Sequence, residues 1–79
     1  MKINEFIEEI ESGGDIMFDC CGKHYTICAW DGEPIDIAEQ KTGKNHERFE
    51  TARDLVENYL IEKKVIKDRI RDVVITFRS

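Results

Sequence analysis

Cys20, Cys21, His24 and Cys28 crowd into one short stretch and are the first residues whose types could do chemistry. Sulfur and imidazole at such spacing suggest zinc. Zinc ligands must all lie within about 2.0–2.3 Å of one ion, and structural sites take four. If this stretch is extended, Cys21 and His24 become neighbours across a hairpin. Cys28 then lies about 13 Å from His24 along the strand, and Cys20 points to the opposite face. Two ligands do not make a site, so no metal is expected. The same alternation sends Cys20 and Cys21 to opposite faces and argues against a disulfide between them.

Nucleophilic use of a thiol needs a base within hydrogen-bond reach. Cys21 with His24 is the one pair offered, with no third group to orient the imidazole. Glu8 and Glu9 are adjacent acids, but on a helix they diverge and sit on an open face. General acid–base work needs a sheltered carboxyl with a raised pKa. Lys41-Thr42-Gly43-Lys44 has a superficial likeness to a phosphate loop, yet lacks the upstream glycine and the hydroxyl residue after the lysine. The chain is therefore read as non-enzymatic, with no catalytic residue and no cofactor.

The element that must position these residues is Asp15 to Ala38, a three-stranded antiparallel meander. Ile16, Phe18 and Cys20 alternate with Met17, Asp19 and Cys21. Gly22-Lys23 suits a two-residue turn with glycine first. It would pair Cys20 with Tyr25, Phe18 with Ile27 and Ile16 with Ala29, giving a core-like face. A three-residue loop, Trp30-Asp31-Gly32, with Gly32 in the left-handed region, would pair Ile27 with Ile35 and Tyr25 with Ile37. Asp31, Glu33 and Asp36 then stay in water, and Asp31-Gly32-Glu33 becomes an acidic tip. Trp30, the lone tryptophan, falls beside it as a partly exposed aromatic anchor or a cross-strand packing residue.

Before the meander, Ile3, Phe6, Ile7 and Ile10 mark an amphipathic helix, capped by Asn4 and ended by Gly13. Its outer face is Glu5, Glu8, Glu9 and Glu11. After the meander comes a polar connection, Glu39 to Arg48. Thr51 and Asp54 resemble a capping box opening a helix from about Ala52 to Leu60. Two short helices with a kink near Glu62-Lys63 fit residues 52–72 slightly better than one long helix. The tail Val73-Val74-Ile75-Thr76-Phe77 is β-branched and suits an edge strand. The fold class is α+β, in a single domain spanning residues 1–79.

At 79 residues the chain has room for one small core. No apolar run approaches the roughly 20 residues of a membrane span. Three cysteines make no disulfide framework, which points to a reducing cytoplasm. The net charge of −5 hides an asymmetry. Residues 1–40 hold ten acids and two bases, whereas residues 41–79 hold seven acids and ten bases. An acidic first half opposes direct nucleic-acid binding and favours a basic protein partner.

The opening Met1-Lys2-Ile3-Asn4-Glu5-Phe6-Ile7-Glu8-Glu9-Ile10 resembles the start of small phage anti-CRISPR proteins of the type II-A class. Asp31-Gly32, followed by Ile35, Ile37 and Glu39, is similar to that family's second hairpin. A likeness extends to small uncharacterised proteins of Firmicutes and their phages. The resemblance implies an acidic loop that enters the arginine-bearing groove where an RNA-guided nuclease reads its PAM, imitating DNA. Asp31 and Gly32, with Glu39, are the positions it carries over. The C-terminal half departs from the family in being basic.

The expectation is thus an inhibitor that binds a basic protein surface, such as a Cas effector nuclease, through Asp31, Gly32, Glu33, Asp36, Glu39, Glu5, Glu8, Glu9 and Trp30. One alternative is a homodimer joined by the second sheet face or the terminal strand. Another is nucleic-acid binding through a basic C-terminal helix bearing Lys63, Lys64, Lys67, Arg69 and Arg71.

Overall fold

A computed structural model describes all residues, 1–79. Helix α1 (Ile3–Glu11) leads into β1 (Gly14–Cys20), β2 (Lys23–Ala29) and β3 (Ile35–Glu39). A short strand β4 (Glu47–Phe49), helix α2 (Ala52–Asn58) and a small hairpin of β5 (Leu60–Ile61) and β6 (Lys64–Val65) follow. Helix α3 (Ile66–Arg69), a 3₁₀ turn (Ile70–Asp72) and strand β7 (Val74–Arg78) complete the chain. The main sheet is antiparallel in the order β4-β3-β2-β1-β7. The α+β class, the opening helix, the meander and the terminal edge strand agree with the sequence reading. No helix is long and apolar enough to cross a membrane.

One face of the sheet holds the core. Ile16, Phe18, Cys20, Tyr25, Ile27, Ala29 and Ile37 point into it and are buried. Phe6, Ile7 and Ile10 of α1 and Leu55 and Val56 of α2 cover them, with Tyr59, Ile61 and Ile66 closing the far side. Aromatic rings link the layers. Phe6 meets Phe18 edge-on at 5.3 Å, Phe18 stacks on Tyr25 at 5.2 Å, and Tyr25 meets Tyr59 edge-on at 6.0 Å. The Tyr59 hydroxyl donates to the Asn45 carbonyl at 2.8 Å, so this buried ring keeps its polar end satisfied.

Both hairpins differ from expectation in register by two residues. The first turn is Cys21-Gly22, with both residues at positive φ (56° and 80°), the signature of a type I′ turn. It pairs Phe18 with Tyr25 and Ile16 with Ile27 instead of Ile27 and Ala29. The second connection runs from Trp30 to Pro34, so Ile27 faces Ile37 and Tyr25 faces Glu39. A shift of two leaves every side chain on its expected face, because the strand period is two. The preference of type I′ geometry for the right-handed twist of the strands outweighs the penalty of a non-glycine residue at positive φ.

The second half needs more correction. Lys2, not Asn4, caps α1, while Ser12 and Gly13 end it. Thr51 does cap α2, its hydroxyl accepting from the Asp54 N–H at 3.0 Å. Helix α2 stops at Asn58, and Leu60 is exposed. The break at Glu62-Lys63 is no helix kink. Both residues take positive φ (51° and 70°) and form the tight turn of the β5–β6 hairpin. Arg69 is drawn into this structure, donating to the carbonyls of Ile61 and Glu62. Lys63, Lys64, Lys67, Arg69 and Arg71 are therefore divided among a hairpin, a four-residue helix and a 3₁₀ turn, and share no basic helix face. Strand β4, absent from the sequence reading, emerges from the polar connection by pairing Arg48 opposite Asp36.

Strand β7 carries a β-bulge: Ile75 faces Phe18 and Phe77 faces Met17, leaving Thr76 without a partner residue. Bulges discourage edge-to-edge pairing by twisting the edge. Across the uncovered sheet face, Phe77, Met17, Thr26 and Ala38 form a cross-strand row, and Phe77 and Val74 are largely exposed.

Candidate functional site

The end of the sheet where β2 leaves and β1 begins gathers the loop Trp30–Pro34, the end of α1 and the end of β7. A backbone bond from Glu33 N–H to the Trp30 carbonyl, 3.1 Å, closes the loop into a turn. Gly32 sits at φ +79° with open space around it, the conformation that a following strand demands here. Asp31, Gly32 and Glu33 are exposed. Trp30 is 55% exposed, and its Nε1–H donates to the Asp15 carboxylate at 3.2 Å. That bond fixes the indole at the mouth of an open concavity of about 460 Å³, lined by Ser12, Gly13, Gly14, Trp30, Asp31 and Ser79.

Gly14 makes the crowding at this corner tolerable. Its φ is +88°, and a side chain there would run into the Ser79 hydroxyl, which accepts a hydrogen bond from the Asp15 N–H. Ser12 also borders a shallow depression formed with Glu5, Glu8 and Glu9 on α1. The acidic helix face is thus continuous with the acidic hairpin tip.

The carboxylates divide by what they touch. Asp31, Glu33, Glu8 and Glu11 have no cation of this chain within 4.0 Å. Glu5 accepts the Lys2 backbone N–H at 3.3 Å, completing the start of α1. Glu9 and Asp36 do not remain free, contrary to the sequence reading. The Arg78 guanidinium donates to Glu9 at 2.6 Å, and Asp36 takes both Arg48 and His46 at 2.8 Å. Glu39 is half-buried, held by Asn45, and lies four residues along β3 from Ile35. That is about 13 Å at the usual rise per residue, away from the tip. The structure therefore brings Trp30, Asp31, Gly32 and Glu33 together at the tip and reaches Glu5, Glu8 and Glu9 through the shared border at Ser12, with Glu9 already paired to Arg78, while Asp36 and Glu39 are engaged elsewhere. Glu11 adds to the free set.

Asp36 illustrates a structural rather than a binding use of charge. Hydrogen bonds from Arg48 first, then His46, hold its carboxyl below the usual aspartate range. A depressed folded-state pKa stabilises the fold above the unfolded value, and that contribution is lost as pH falls through the folded value. Below about pH 4 the thermal midpoint of the protein should fall faster than that of Asp36→Asn. The difference should be a few degrees at most, since Asp36 is partly solvated. Parallel acid melts of the two proteins check this, and midpoints that fall equally fast would contradict it.

The sulfur and imidazole groups do not converge on one point as a metal site would require. His24 faces and bonds Asp19, and Cys28 faces Asp15 on one side and Asp36 on the other. Burial, then Asp15, pushes the Cys28 thiol up. Cys21 sits in the turn, not opposite His24. Against known proteins, no family, no curated protein and no solved structure matches this chain. Its functional reading rests on where its own residues lie.

Sequence reasoning missed the concavity itself. Ser12, Gly14 and Ser79 carry no local signal of a shared corner. Only the pairing of β7 with β1 puts the chain's last residue beside the end of its first helix.

Proposed function

We propose that this protein is a non-enzymatic inhibitor that binds a basic protein surface with the end of the molecule formed by Trp30, Asp31 and Glu33 and the adjoining face of α1. The observation that supports this most is the exposed Asp31-Gly32-Glu33 tip, with no cation of this chain within 4.0 Å of either carboxylate and set beside a pinned, exposed indole. Carboxylates held on a hairpin approach a partner with little loss of freedom, so less of the interaction is spent on ordering. An arginine can pair with Asp31 and lay its planar guanidinium over Trp30, a contact that gains strength when desolvated.

The resemblance to type II-A anti-CRISPR proteins supplies a concrete target class. In that reading Asp31 and Glu33 occupy arginines of an RNA-guided nuclease that otherwise read PAM bases in the major groove. The action would be in the cytoplasm of the host cell. Adding the protein to a guide-loaded type II-A nuclease should then reduce capture of a PAM-bearing DNA duplex, with less effect once the duplex is already bound. Undiminished DNA capture at saturating protein would reject that target.

A homodimer is a second reading, favoured by the exposed Phe77 and Val74 on the uncovered sheet face. The bulge at Thr76 makes the face, not the β7 edge, the surface to examine. Sedimentation at several concentrations decides it: a mass that stays monomeric throughout would eliminate the dimer.

A further inference from the structure

Cys21 leaves β1 at φ +56°, and this left-handed turn cancels the alternation that would separate it from Cys20. The two sulfur atoms lie 3.5 Å apart, contrary to the expectation that they face opposite ways. Type I′ turns favour asparagine or aspartate at the position Cys21 holds, because short polar side chains tolerate positive φ. Cysteine has no such advantage there. Cys21 is exposed, whereas Cys20 is only 1% exposed directly behind it.

A direct disulfide is a poor fit. Neighbouring Cα atoms across a trans peptide are about 3.8 Å apart, short of the roughly 4.4–6.8 Å that disulfides span. A bridging atom fits better. Two sulfurs each about 2.3 Å from a common tetrahedral centre lie roughly 3.8 Å apart, close to the separation found here. Zinc would want further protein ligands, and no group of three such side chains is present. A trivalent arsenic atom that already carries one organic group needs only two sulfurs.

We propose that Cys20 and Cys21 form a bidentate dithiol site for a trivalent organic metalloid at the β1–β2 turn. Binding is a condensation without change of oxidation state. Two S–H bonds and the arsenic–oxygen bond break, two arsenic–sulfur bonds form, and the oxygen leaves as water with both protons. The exposed Cys21 makes the first bond, and Cys20, beneath it, closes the chelate. Burial and the neighbouring thiol push Cys20 up to about 12, so the waiting pair is not two repelling thiolates.

Phenylarsine oxide tests this on the intact, reduced protein by mass spectrometry under native conditions. One arsenical per chain is expected, retained in Cys28→Ser and released by 2,3-dimercaptopropanol but not by an equal concentration of a monothiol. Cys21→Asn keeps a residue suited to the turn. It should weaken binding by a factor on the order of 100 or more, the gain that a second linked contact ordinarily provides. In the unaltered protein, the arsenical should also protect Cys21, and not Cys28, from iodoacetamide. Binding that survives Cys21→Asn, depends on Cys28, or leaves Cys21 open to alkylation would overturn the proposal.

Discussion

Reversing two charges, Asp31→Lys with Glu33→Lys, is expected to abolish binding to a basic partner while leaving the fold intact. Both side chains are exposed, neither is within 4.0 Å of a cation of this chain, and the space around Gly32 between them is open. The turn is held by backbone, from Glu33 N–H to the Trp30 carbonyl, and does not need either carboxylate. An exposed pair contributes only about 0.2–1 kcal/mol, so deleting one acid would be a weak test. Reversal is stronger, because like charges forced together cost several kcal/mol. A loss of affinity of more than about 100-fold corresponds to roughly 3 kcal/mol and lies within that range. Asp36→Asn and Glu9→Gln serve as controls. Arg48 and Arg78 already occupy these acids, so their loss should change binding by no more than about threefold. Titration calorimetry of the three proteins against the same partner separates a local surface from a general effect of net charge.

Replacing Phe18 with alanine should have the largest effect on stability. Its ring is fully buried and touches Phe6 on α1 and Tyr25 on β2, so it joins the first helix to the centre of the sheet. Removing a buried phenylalanine costs about 3–5 kcal/mol, the transfer term plus the cavity left behind. A domain of 79 residues is worth roughly 4–12 kcal/mol in total. Phe18→Ala should therefore remove at least about a quarter of the stability and lower the urea midpoint in proportion. Met17→Ala, one residue away on the uncovered face, should cost less than about 1 kcal/mol. Equal losses at the two positions would mean that the second face is also covered.

Much of the first half was legible because its information is periodic. Ile16, Phe18 and Cys20 alternate, and so do Tyr25, Ile27 and Ala29, so their common face survives an error in register. The turns were harder. Cys21, Glu62 and Lys63 adopt positive φ without being glycine, and no composition signal marks such residues. The sequence marks a break at Glu62-Lys63 but not its kind, because a two-residue strand such as Leu60–Ile61 is too short to show a period. Acidic residues were readable as exposed, but not as free. Arg48 reaches Asp36 only because β4 pairs with β3, and Arg78 reaches Glu9 only because β7 pairs with β1. Long-range pairing decided which acids belong to the tip, and that pairing is what a single sequence encodes least directly.

The most direct measurement uses Trp30, the lone tryptophan, as its own reporter at the site. Its emission would be followed while an arginine-rich peptide is added at low and at high salt. A saturable spectral change is expected, weakened at least about tenfold between 50 mM and 500 mM salt as screening shortens the reach of the carboxylates, and absent from the Asp31→Lys, Glu33→Lys protein. A silent indole, an affinity indifferent to salt, or an equal response from the doubly reversed protein would contradict an acidic binding end.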